Sequence, residues 1–75
     1  MPHVVVKLAS GRSDQVKALL TERIVKDVMD VLQCGDGAVS LAIEDVEPQA
    51  WMERVYKPDI EPKWERLYKK PGYKP

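Results

Sequence analysis

Met1-Pro2-His3-Val4-Val5-Val6-Lys7-Leu8-Ala9-Ser10-Gly11-Arg12-Ser13-Asp14 opens the chain, and these residues decide its fold. Between His3 and Leu8 the run is apolar and rich in β-branched valine, with Lys7 alone breaking it, which predicts a strand buried on at least one face. Ala9-Ser10-Gly11 ends it. Ser13 is placed to cap a helix, and Asp14 and Gln15 in the first turn complement the helix dipole.

Working outward, Val16, Leu19, Leu20, Ile24, Val28, Val31 and Leu32 recur at spacings of three and four and form an apolar stripe, while Lys17, Glu22, Arg23, Lys26, Asp27 and Asp30 fall mainly elsewhere. One helix with one face for a sheet is expected, ending near Gln33 to Cys34 because Gly35-Asp36-Gly37 tolerates left-handed backbone angles. Ala38 to Glu44 then alternates: Val39, Leu41 and Ile43 on one side, and Ala38, Ser40, Ala42 and Glu44 on the other. The order is β-α-β, which predicts a parallel pair. Two helical pieces follow, the first opened by Pro48 with Trp51, Met52 and Val55 as its apolar face and interrupted by Pro58. The second runs from about Asp59 to Lys70, with Ile60, Trp64, Leu67 and Tyr68 as a stripe and Lys69-Lys70 at the negative end of its dipole. Tyr73-Lys74-Pro75 carries no periodic signal.

The 75 residues are expected to form a single α/β (α+β) domain. A domain of this size buries only ~60% of the surface its unfolded chain exposes. Two strands are too few to be stable alone, so the sheet is expected to be completed by a homo-oligomer. Lysine plus arginine equals aspartate plus glutamate, 12 against 12, a balance that argues against a general nucleic-acid or membrane-surface binder. Cys34 is the single cysteine. No internal disulfide or cysteine-based metal site follows from it, and with no basic segment leading an apolar signal-length run, the cytoplasm is the expected compartment. Glu44, Asp45 and Glu47 read as a solvated acidic loop, and lone His3 as a packed or solvated residue.

Pro2 stands apart chemically. Once Met1 is removed, it presents a secondary amine held by the strand behind it, able to act as a base. Such an amine works best as a proton shuttle when its pKa lies near the working pH, which burial against apolar walls and a nearby guanidinium both favour.

The initiating Met1-Pro2, the short strand, Gly11-Arg12-Ser13-Asp14 entering a long helix, and the second strand resemble the 4-oxalocrotonate tautomerase family. Downstream, Glu47-Pro48-Gln49-Ala50-Trp51 and Lys69-Lys70-Pro71-Gly72-Tyr73 resemble its longer bacterial PptA-type members. The resemblance implies keto-enol tautomerisation of 2-keto acids without metal or organic cofactor. It makes Pro2 the general base, Arg12 the partner of the substrate carboxylate and Trp51 an apolar wall. From the residues alone, Arg12 reads as a solvated side chain beside a helix N-terminus, and it is the Gly11-Arg12-Ser13-Asp14 context that favours the functional reading; Trp51 is equally a packing residue in the core or at an interface. The founding enzyme carries a second arginine in its second strand, where this chain has Ser40, a hydrogen-bond donor without charge. That departure favours a monocarboxylate such as phenylenolpyruvate over a dicarboxylate. The founder is a hexamer of shorter chains, and the extra C-terminal helix favours a dimer. The competing readings are a non-catalytic binding module of the same fold and a superfamily dehalogenase or decarboxylase.

Overall fold

A computed structural model describes residues 1–74. Strand β1 (His3–Ala9) and strand β2 (Ser40–Val46) pair in parallel, His3 opposite Ser40 and Ala9 opposite Val46. Helix α1 (Asp14–Leu32) connects them. Ser13 caps α1 as its sequence predicts, its hydroxyl accepting from the Val16 N–H at 3.2 Å, which satisfies one of the orphan amides at the helix start.

The parallel register gives the sheet two distinct faces. Val4, Val6 and Leu8 share one face with Leu41, Ile43 and Asp45, and α1 covers it: Lys17 reaches Asp45 at 2.8 Å, and Leu20, Ile24 and Val28 are half-buried. The apolar stripe expected on α1 is therefore only partly used. Val16, Leu19, Val31 and Leu32 stay exposed, Val31 at 78%, because the arc is wider than a two-stranded sheet can cover. His3, Val5 and Lys7 occupy the other face with Ser40, Ala42 and Glu44, and the C-terminal segment crosses part of it, where Lys7 pairs with Asp59.

Several boundaries differ from expectation. β2 begins at Ser40, not Ala38, because Gly35-Asp36-Gly37 continues into a tight turn over Asp36–Ala38, with the Val39 N–H donating to the Asp36 carbonyl. The strand runs two residues beyond the expected end at Glu44, taking in Asp45 and Val46. The left-handed residue after α1 is Gln33 (φ 54°) and not a glycine; its side-chain Nε2 donates to the Asp30 carbonyl at 2.7 Å. After a turn at Pro48–Ala50, Met52–Ile60 forms a wide helix, and the Glu61 N–H that closes it donates to Tyr56, five residues back. Pro58 lies inside that helix instead of breaking it, since a widened turn tolerates the missing N–H. The last helical turns, Glu61–Arg66, are tight and end at Leu67, short of Lys69-Lys70.

Among the described residues only Val46, Val55 and Tyr56 are buried, Val46 at 1% exposure. Full burial of a valine stabilises by about 1.5–3 kcal/mol, so three such residues make a thin core. The chain is also extended, with a radius of gyration of 14.0 Å where a compact domain of this length has about 11 Å. A slab with so little interior suits part of a larger assembly.

Candidate active site

The candidate residues fall at the two ends of the strand pair. At the end where both strands begin, Pro2 is half-buried and its carbonyl accepts from the Ser40 N–H at 3.1 Å, extending the ladder by one rung beyond His3. Ser40 presents its side chain on the same face as His3, and the Ser40 hydroxyl meets His3 Nδ1 at 2.6 Å. Ser40 therefore engages its neighbours through both main chain and side chain. The sequence reads lone His3 as a packed or solvated residue; the pairing that brings it to Ser40 follows from strand register, which sequence does not display.

Arg12 and Trp51 sit at the opposite end. The Ser10 N–H donates to the Val46 carbonyl at 2.9 Å, tying the exit of β1 to the end of β2. Gly11 then turns with φ 114°, a left-handed angle favouring glycine, and delivers Arg12 in front of the α1 cap. Arg12 is exposed and forms no salt bridge among the described residues. Trp51 follows the Pro48 turn that leaves β2; it is half-buried, and its indole Nε1–H donates to the Tyr73 hydroxyl at 2.9 Å. The Tyr73 ring also leans on Tyr56, centroids 5.9 Å apart at 47°. The tail, which carries no periodic signal, is thus held by aromatic contacts.

Seven residues of strand separate these two ends, roughly 20 Å at 3.3 Å per residue. Within one chain Pro2 and Ser40 come together, as do the strand exits leading to Arg12 and Trp51, but the two groups stay apart. A depression of about 480 Å³ on the open face of the sheet is lined by Val5, Lys7, Glu44, Val55 and Asp59, with none of the four candidates in its wall. Asp59 raises the Lys7 pKa by accepting its hydrogen bond, and burial opposes that only in part.

The family profile described as "Tautomerase enzyme" matches residues 2–54. The chain belongs to the tautomerase family. A probable tautomerase of Xylella fastidiosa (strain 9a5c) is 53% identical over 73 residues, 97% of this chain and 89% of that protein. Tautomerase PptA of Shigella sonnei (strain Ss046) is 35% identical over 74 residues, 97% of each. Among solved structures, YwhB, a homologue of 4-oxalocrotonate tautomerase, aligns with a TM-score of 0.59 and 28% identity over 61% of this chain and 75% of its own. This tautomerase therefore has the small α/β fold and a tautomerase activity in general, on a small-molecule substrate and in an oligomeric setting typical of the family. The family match spans Pro2, Arg12, Ser40 and Trp51 and stops before most of the wide helix and the tail, which the two bacterial relatives share in length. No described helix is long and apolar enough to cross a membrane.

Proposed function

We propose that this tautomerase interconverts the enol and keto forms of 2-keto monocarboxylates such as phenylenolpyruvate in the cytoplasm, with Pro2 as general base once Met1 is removed. The neutral amine of Pro2 takes the enol O–H proton. The C–O bond becomes C=O as the C=C pair takes a proton at carbon 3, returned by the Pro2 ammonium, so the enzyme ends unchanged. Arg12 binds the carboxylate through its planar fork of donors and stabilises the charge that develops on the enolate oxygen. Trp51 shields the amine from water.

The observation that carries this reading is the separation of Pro2 from the Arg12 and Trp51 end, because it dictates how the site is assembled. One chain cannot bring a base and a carboxylate clamp roughly 20 Å apart onto a substrate a few atoms long. A second copy running antiparallel places its Arg12 and Trp51 beside the first copy's Pro2, and symmetry makes the exchange reciprocal. The exposed Val16, Leu19, Val31 and Leu32 supply apolar surface for such a contact. A homodimer is favoured over a hexamer because the C-terminal segment already crosses the second face of the sheet.

Complementation tests this directly. Pro2→Ala and Arg12→Ala chains carrying different tags are purified as heterodimers, with intact mass confirming loss of Met1, and phenylenolpyruvate ketonisation is followed by ultraviolet absorbance. In a shared site, one of the two sites is rebuilt from intact Pro2 and intact Arg12, and activity returns to about half that of wild type, since two equivalent sites make up a C2 dimer. Activity no better than that of either homodimer overturns the shared site. An inactive wild-type enzyme overturns the substrate class.

A further inference from the structure

We infer that Tyr73 is a specificity-determining residue whose hydroxyl donates to the carboxylate of the substrate, giving this chain a neutral second donor where Ser40 supplies no charge. The inference rests on the reading of Trp51 as a wall of the substrate site.

The donor accounting at Tyr73 leads there. Its hydroxyl accepts the indole Nε1–H of Trp51 at 2.9 Å, which uses a lone pair and leaves the hydroxyl's own proton to give. Among the described hydrogen bonds that proton goes to no protein acceptor. Tyr73 is 42% exposed although its ring is packed against Tyr56 and half-buried Pro71 precedes it. A tail anchored for packing alone needs the ring and not the hydroxyl. Here the ring is fixed from one side and the hydroxyl from another, a preorganised donor that gives up little entropy on binding.

Its position also selects which part of a ligand it meets. An indole has two apolar faces and one polar edge, Nε1–H. Tyr73 stands at that polar edge. An amphiphilic acid lying on Trp51 places its apolar remainder over the ring and its carboxylate toward the edge, where the Tyr73 proton waits. Arg12 emerges from the exit of the adjacent strand at the same end of the sheet, so a carboxylate there meets a guanidinium and a phenol together. A neutral phenol and one cation match a monocarboxylate, whereas two fixed cations match a dicarboxylate.

The test uses the Trp64→Phe chain, in which Trp51 is the single indole emitter, with and without Tyr73→Phe. Trp51 fluorescence is titrated with phenylpyruvate and with phenylacetone, which keeps the ring and ketone but lacks the carboxylate. Tyr73→Phe preserves the contact with Tyr56 and removes only the hydroxyl. The expected result is a loss of about tenfold in phenylpyruvate affinity, the scale of a hydrogen bond to a charged group, with phenylacetone binding unchanged. In turnover the same variant raises KM for phenylenolpyruvate and holds kcat within about twofold. Equal loss for both ligands assigns Tyr73 a structural role and overturns the inference, as does no loss for either. If the parent chain does not turn over phenylenolpyruvate yet binds phenylpyruvate in a Tyr73-dependent way, the proposed reaction falls and this inference stands.

Discussion

The two ends of the strand pair are built in opposite ways. Where the strands begin, the ladder is continuous: Ser40 holds the Pro2 carbonyl through its main chain and meets His3 through its hydroxyl. Where the strands end, the chain turns away twice, at Gly11 and at Pro48, and presents an exposed guanidinium and an indole braced by Tyr73. One end carries Pro2 and Ser40 and the other Arg12 and Trp51, so the candidate residues do not all meet within one chain. The difference teaches that each candidate residue is placed by its local chain, while bringing them together is not a local matter.

The largest predicted effect comes from the first end. Pro2→Ala removes the base and lowers kcat for phenylenolpyruvate by about 10²–10⁴-fold, the usual worth of a positioned proton carrier, with the fold unchanged by circular dichroism. Retained activity in that variant breaks the comparison, because the ladder end would then hold no chemistry. At the second end, Arg12→Ala lowers kcat/KM by about 10–100-fold through loss of a charge-assisted hydrogen-bond pair. Steady-state kinetics on phenylenolpyruvate read the effect. An Arg12→Lys variant that recovers little sharpens the assignment to bidentate binding.

Ser40→Ala is predicted to act more weakly. Its hydroxyl is already engaged by His3 and its N–H is unaffected by the substitution, so kcat/KM changes by only about twofold to threefold, within the range of one neutral hydrogen bond. A loss as large as that of Arg12→Ala would move Ser40 into direct contact with the substrate.

The smallest effect lies midway between the ends and concerns stability. The Asp59 hydrogen bond raises the Lys7 pKa above its ordinary 10.5, and Asp45 does the same for Lys17. A raised folded-state pKa means that the contribution of each pair is complete below pH 10.5 and is lost as pH rises through the raised value. Thermal midpoints are therefore expected to hold level from neutral pH to about pH 10 on account of these pairs and to fall above it, with a shallower fall in Lys7→Met.

The β-α-β order, the Ser13 cap and the placing of Pro2, Arg12, Ser40 and Trp51 on named elements were legible in the sequence because each depends on neighbours within a few residues. Periodicity shows which residues of α1 are apolar, and turn chemistry shows where strands stop. It does not show which part of that arc the sheet covers, since coverage depends on the width of a sheet with only two strands in the chain. The absorption of Pro58 by a widened helix was likewise hidden, because it depends on the packing of Val55 and Tyr56 and not on the local pattern around the proline.

The sequence by itself determined the chemistry available to this protein: a proline behind the initiator, a guanidinium at a helix entrance, an indole after the second strand, and membership of a tautomerase lineage written in those motifs. Tertiary structure alone decided the arrangement. Parallel register sets His3 against Ser40, the folded tail braces Trp51 with Tyr73, and Pro2 and Arg12 stay at opposite ends of the sheet. The physical reason is range. Local propensities act over a turn or a strand step, whereas register, tail docking and the distance between two strand ends are fixed only when residues far apart in sequence are packed together.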